Sequence, residues 1–403
     1  MRPLGKTPQQ LVWADNVVRK ANKPTLILTP LAVSDQTIRE ANKFGIEAVR
    51  SRDGKFTGKR IIVTNYQQLH KFTPDDFAGV VCDESSCLKN ADAVTRLAVT
   101  EFMRTVPYRL LCTATAAPND YWELGTSSDA LGALGFRDMI TQFFKQETEK
   151  DYLGWGRTKY RFRGHAETPF WKWVCSWARV CRKPSDLGFN DGEFILPPLE
   201  EEEIRIDDSP PREGFLFSVP ANTLEEQREE LRVTLTQRCA KAAELMEQCE
   251  TCVAWCHLNP EADAIERMVI GAKQVCGSMS DDEKEELLIA FQAGQLNRLV
   301  LKPVLGAWGL NWQHCHDVVC FPSHSWEQYY QLVRRCWRFG QKSRVRVRII
   351  TTEGQQGVMN SLKRKTMQAD RMFTNLVKHT NDAMHIERTA YGNQRETLPA
   401  WLN

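Results

Sequence analysis

Short apolar runs that recur with charged, helix-length stretches between them constrain this chain more than any other feature. TLILTP (25–30), RIIVTNY (60–66), AGVVCDE (78–84) and YRLLCTAT (108–115) form a first series. TCVAWC (251–256), AKQVCGS (272–278), RLVLKP (298–303), HDVVCFP (316–322) and RVRVRII (344–350) form a second. Apolar runs of this length, separated by stretches such as SDQTIREANKFG and SDDEKEELLIAFQAGQ, predict buried parallel strands with helices on both faces of the sheet. Two series predict two α/β domains. In such sheets ligands sit at the carboxyl ends of the strands. Those ends carry Thr29, Thr64, Asn65, Asp83, Glu84, Thr113, Thr115 and Lys302, so the fold expectation is also a site expectation.

Composition narrows the class. A chain of 403 residues has room for two or three domains with cores of their own. No apolar run approaches the ~18 residues that a membrane span needs, and MRPLGKTPQQLVW lacks the apolar segment of a secretory signal. The 13 cysteines are irregularly spaced and several sit inside apolar runs, which suits a reducing cytoplasm better than a disulfide framework. With 53 Lys+Arg against 51 Asp+Glu, overall charge does not announce a nucleic-acid partner.

Residues 136–200 break the rhythm. They hold Trp155, Trp171, Trp173, Trp177 and the basic run RTKYRFR (157–163). Aromatics interleaved with basic residues suit single-stranded nucleic acid, whereas Trp173 and Trp177 at i, i+4 equally suit a buried helix face. The stretch 222–250 is helical by period, SRVRVRII reads as an edge strand with one solvated face, and the last 50 residues read as helices and a frayed tail. CETCVAWCH (249–257) has a C-x-x-C pair, but no second pair stands at structural-zinc spacing, and a packed core is the expectation. His314-Cys315-His316 reads as a loop leading into a strand.

Three segments carry chemistry. Gly5-Lys6-Thr7 opens a helix-like stretch; such a start offers backbone N–H groups and a lysine to phosphates and a hydroxyl to Mg²⁺. Val80 to Ser86 (VVCDESS) ends a strand on paired carboxylates, where an Asp holds Mg²⁺ and a Glu orients or deprotonates a water. Gln331, Arg335 and Arg338 stand at i, i+4 and i+7 on an expected helix, and arginines so placed stabilise phosphoryl-transfer charge. The plainer counterparts are a chance GKT, a solvated acidic turn and an exposed basic helix face.

Taken in order, these segments resemble superfamily-two helicases and translocases of the DEAD/DEAH type, closest to the Snf-type DNA translocases and their phage-encoded relatives. GKT resembles the end of motif I, LTPLAV (28–33) motif Ia, VTNYQQL (63–69) motif Ib, DESS (83–86) motif II and TATAAPND (113–120) motif III. CVAWC (252–256) is similar to the motif IV strand, VLGAWGLNWQ (304–313) to motif V, and the 331–341 segment to motif VI. HAETPFWKWVCSWARVCRKPSDLGF (165–189) is similar to a segment of phage helicases.

The resemblance implies two RecA-like parallel-sheet domains in tandem: an ATP-binding domain over 1–135, an insertion over 136–200, a second domain over 201–355 and a helical tail over 356–403. It assigns Gly5, Lys6 and Thr7 to ATP, with Gly309 and Gln331. Thr7 and Asp83 go to Mg²⁺, Glu84 to water activation, and Arg335 and Arg338 to the γ-phosphate. Thr113 and Thr115 are assigned to coupling, and Pro30, Thr64, Asn65, Tyr66 and Asn311 to the nucleic acid, with DNA favoured. It implies an ATP-dependent helicase or translocase, hydrolysing ATP between the two domains as it works on DNA, in the cytoplasm (the host's, for a phage gene), able to work as a monomer beside replication or recombination proteins. The upstream P-loop glycine is missing, Arg2-Pro3 stands where a flexible turn belongs, and motif II reads DESS. A chain shortened at its N-terminus is therefore expected; the alternative is a nucleic-acid-binding or scaffold remnant that has lost turnover.

Overall fold

The computed structural model describes residues 5–30, 33–56, 58, 60–89, 94–117, 119–150, 156–206, 219–221, 223–303, 305 and 311–391. They fall into two compact units, one within Leu4–Asn190 and Gln368–Asn403, the other within Asp191–Met367. Both are α/β with parallel main sheets, as the two series of apolar runs predict.

The first domain opens with helix α1 (Lys6–Ala21), then β1 (Thr25–Thr29), α2 (Ser34–Lys43), β2 (Ala48–Arg50), β3 (Ile61–Asn65), β4 (Gly79–Asp83), α3 (Val94–Thr105) and β5 (Tyr108–Cys112). The sheet order is β2-β3-β1-β4-β5, all parallel. Alternation along the strands sorts the core into two faces. Leu26, Leu28, Ile62, Val80 and Cys82 pack with Phe102 and Met103 of α3 on one side. Ile27, Ile61, Val63 and Val81 pack with Leu11, Ala14 and Val18 of α1 on the other. Because β1, β3 and β4 are buried on both faces, they read as unbroken apolar runs.

Helices α4 (Leu124–Leu131) and α5 (Phe136–Phe143), the antiparallel pair β6 (Phe144–Lys150) and β7 (Gly156–Phe162), and α6 (Glu167–Trp177) follow in the same unit. Their core joins Phe143, Phe144, Phe170, Trp171 and Val174 to Met372 and Leu376 of the last helix. Trp171 is buried, with Tyr121 and Phe170 rings 5.1 and 5.0 Å away, and the Trp173 and Trp177 rings lie 5.5 Å apart. Of the two readings of the tryptophans, packing holds for these three. Trp155 lies outside the described residues.

The second domain contains β8 (Leu199–Ile206), α7 (Leu224–Val233), α8 (Leu235–Glu247), β9 (Cys252–Trp255), α9 (Asn259–Met268), β10 (Ala272–Val275), α10 (Asp281–Gln292), β11 (Arg298–Leu301), β12 (Asp317–Cys320), α11 (Trp326–Cys336) and β13 (Val345–Thr352). Its six parallel strands run β10-β11-β9-β12-β13-β8. A long helix, α12 (Gln356–Tyr391), follows; Gln368 onward belongs to the first unit.

The 222–250 stretch is helical as its period predicts, in two helices broken at Thr234. One local expectation is corrected. The 344–350 run is not an edge strand: β13 lies between β12 and the acidic β8, which takes the edge. The alternating arginines misled because their charges are met inside the domain. Arg346 and Arg348 reach Asp317, and Arg344 reaches Glu200 on β8 at 2.9 Å.

Candidate active site

The local sequence explains how α1 places its first residues. Leu11, Ala14, Val17 and Val18 form one buried face, so the helix lies on the sheet with a fixed roll. Gly5 precedes it at φ +77°, a left-handed turn that favours glycine. No side chain caps this end among the described residues, which leaves first-turn N–H groups open to an anion. At the other end, Asn22 in left-handed conformation closes the helix after Arg19 and Lys20.

That roll brings Lys6 to the carboxyl end of β4. Its ammonium donates to Glu84 Oε1. Burial works against the Lys6 charge, but the carboxylates of Glu84 and Asp83 outweigh it and hold the pKa above the usual lysine value. Asp83 is only 5% exposed. Burial lifts its carboxyl above the ordinary range, with the attraction of Lys6 acting the other way. One turn along α1, the buried Gln10 donates from Nε2 to Asp83 Oδ1 at 2.6 Å. Burial, then the charge of Asp83, pushes the Cys112 thiol up to about 12.

Glu84 has φ +48° and ψ +50°, and with Asn22 it makes up the non-glycine positive-φ residues among those described. A side chain in this region costs about 1–2 kcal/mol. Strained backbone of this kind gathers at functional sites.

The other first-domain candidates lie at neighbouring strand ends. Asp83 stands in register with Cys112, so Thr113 follows directly beyond β5. The Thr113 hydroxyl accepts from the Thr115 N–H at 3.0 Å, and Thr115 is buried. At the end of β3, Thr64 is buried, and Asn65 is buried with its side-chain oxygen accepting from Gln68 N–H at 3.2 Å. Tyr66 donates from its hydroxyl to the Asp83 carbonyl at 2.6 Å. Asn65 and Tyr66 brace the loop from inside the domain, whereas the buried Thr64 hydroxyl has no hydrogen-bond partner among the described residues. Pro30, after β1, is half-buried.

In the second domain, Gln331 and Arg335 on α11 line a small pocket with Trp255, Pro303, Gln328 and Leu332. Arg338 does not continue their helix face, because α11 ends at Cys336. It lies in the following turn, where its N–H donates to Cys336 O at 3.2 Å and its carbonyl accepts from Gln341 N–H at 3.0 Å. Burial and the nearby Arg335 bring its pKa down to about 10, so it stays charged at neutral pH. Arg334 is stacked 4.3 Å from the Trp337 ring, a cation–π contact that points it elsewhere. Asn311 is half-buried and its Oδ1 has no hydrogen-bond partner among the described residues. Gly309 lies outside the described residues.

Among solved structures, the chain is similar to the SWI2/SNF2 ATPase core of Sulfolobus solfataricus in complex with double-stranded DNA. The identity is 15%, the match covers 96% of this chain and 90% of that chain, and the TM-score is 0.40. No family model matches the chain, and no curated protein matches it.

The residues present fit a metal-bound nucleoside triphosphate. Lys6 and the uncapped start of α1 are donors for phosphate, and Thr7 and Asp83 offer the hard oxygen ligands that Mg²⁺ prefers. Among the described residues no group of three or more His, Cys, Asp or Glu could hold a metal ion, so a cation here needs phosphate and water to complete its shell. Sequence reasoning missed Gln10 and the Tyr66–Asp83 tie. The i, i+4 spacing of Lys6 and Gln10 was the available signal for the former.

Proposed function

We propose that this chain is an ATP-dependent translocase or helicase of the superfamily-two, Snf-like type, acting on DNA. The observation that carries this reading is the convergence of Lys6, Asp83 and Glu84 beside the open start of α1, with Glu84 in a strained conformation.

In this reading Lys6 leaves Glu84 for the β/γ-phosphates, and the first-turn N–H groups of α1 share their charge. Thr7 and Asp83 would hold Mg²⁺, whose bound charge would withdraw electron density from the phosphate oxygens. Glu84, released from Lys6, orients a water and accepts its proton at a carboxylate oxygen. In the second domain, the proposal gives Arg335 and Arg338 the charge of the transferred phosphoryl group and Gln331 and Gly309 a part in nucleotide contact. Thr113 and Thr115, on the segment after β5, are proposed to transmit nucleotide state. Pro30 and Asn311 are the proposed contacts to the DNA backbone, while Asn65 and Tyr66, expected from the sequence to touch it as well, instead support the loop behind them, with Thr64 buried at the strand end. Such contacts hold a strand without reading its sequence.

The test is ATP hydrolysis with and without single- and double-stranded DNA, on the wild type and on Glu84→Gln. A DNA-stimulated rate abolished by Glu84→Gln supports the motor. DNA binding without hydrolysis in the wild type, under any nucleotide or metal condition, replaces it with the scaffold reading.

A further inference from the structure

We infer that Gln10 is a positioning residue for the metal-binding carboxylate, an inference that rests on the function proposed above. Gln10 is fully buried on the face of α1 that packs against β4. Burying a primary amide without using it costs free energy, so a fully buried glutamine needs a reason. Half of that reason is visible: Nε2 donates to Asp83 Oδ1 at 2.6 Å. The other half is open, because Gln10 Oε1 is buried and has no hydrogen-bond partner among the described residues.

The donor fixes how Asp83 can act. A carboxylate at the end of a strand can rotate about its terminal bond, and each rotamer aims a different oxygen outward. With Oδ1 held by Gln10, Oδ2 is the oxygen left for a cation. Mg²⁺ keeps several of its waters and demands near-ideal octahedral geometry, so a fixed ligand oxygen matters more to it than to a looser ion. The unused Oε1 is an acceptor of the kind that a metal-bound water seeks. Residues that orient a ligand in this way typically change metal affinity by roughly 10–100-fold when replaced.

Asp83 gains a second anchor through its backbone, since its carbonyl accepts from Tyr66 at 2.6 Å. Main chain and side chain are thus held from two different elements, β3's end and α1. A residue that merely filled space beneath α1 would be apolar, like its neighbour Leu11.

The experiment measures binding of a fluorescent ATP analogue to the full chain, first in EDTA and then during Mg²⁺ titration, for wild type, Gln10→Leu and Gln10→Met. The expected result is unchanged metal-free binding, since Lys6 is intact, with the Mg²⁺ midpoint raised by about tenfold or more in both variants. Gln10→Met keeps the length of the side chain without its donor and stands in should the leucine variant not fold. Thermal unfolding in EDTA reports folding separately. Equal losses with and without Mg²⁺ would make Gln10 a structural residue only, and an unmoved midpoint would likewise overturn the inference. Wild-type protein that shows no Mg²⁺-dependent nucleotide binding would overturn the function itself, a result distinct from either.

Discussion

The backbone of Glu84 makes a prediction that separates strain from chemistry. At φ +48° and ψ +50°, the residue bears a steric cost of about 1–2 kcal/mol that belongs to its Cβ. Its carboxylate is paired with Lys6, but both side chains are about a third exposed (34% and 36%). Such a pair is worth only about 0–1 kcal/mol after solvent screening. Glu84→Ala loses the pair and keeps the strain. Glu84→Gly loses the same pair and sheds the strain, against which the greater freedom of glycine in the unfolded chain sets about 0.4–1 kcal/mol. The glycine variant should therefore be the more stable of the two by roughly 1 kcal/mol, the reverse of the usual order. For a domain of this size that is a difference of about 2–4 °C in Tm. Thermal unfolding followed by circular dichroism at neutral pH, without nucleotide, reads it directly. Both variants should lose hydrolysis by about 10²–10⁴-fold, the usual contribution of a positioned general base. An alanine variant as stable as the glycine variant refutes the strain argument, and turnover surviving in either refutes the role of the carboxylate.

Other outcomes follow from the second domain. Arg238 and Glu261 form a fully buried ion pair at 2.6 Å, with Glu261 also accepting from the N–H groups of His257 and Leu258; Glu261→Ala should cost about 3–5 kcal/mol in urea unfolding. His257 is held neutral chiefly by burial, its pKa below the usual 6.5. Since the unfolded chain binds that proton more readily, the stability of this domain should fall as pH drops from 6.5 towards the lower folded value. His257→Asn should flatten that decline in a pH series of unfolding curves. Arg335→Ala should lower kcat by about 10³-fold or more if its guanidinium meets the transferred phosphoryl group, and DNA binding in EDTA should be unaffected. A loss confined to KM would instead make Arg335 a contact of the bound nucleotide.

Much of this molecule was legible because the informative signals are local. A strand buried on both faces must be apolar at every position, so TLILT, IIVTN, GVVCD, CVAW and DVVC announce themselves, and the helices between them follow from their period. Polar residues at the carboxyl ends of such strands then mark a candidate site, and Lys6, Asp83 and Glu84 are neighbours there. The acidic strand β8 was not legible: LEEEEIRI has neither alternation nor a strand-forming composition, and it pairs because β13 offers it a partner. The helix carrying Arg335 was readable, but its end was not, so Arg338 moved from a helix face to a turn.

The sequence by itself determined that the apolar runs become strands, that the periodic stretches become helices and which chemistry lies at their ends, since these depend on neighbours within a few residues. Tertiary structure alone decided who meets whom across the chain. It set Gln10 against Asp83 across 73 positions, tied Tyr66 to the Asp83 carbonyl, and closed the Trp171 core with Met372 and Leu376 from the last helix. Hydrogen bonds and packing contacts act over a few ångströms, and a one-dimensional pattern records periodicity but not the rotations that bring distant faces within that reach.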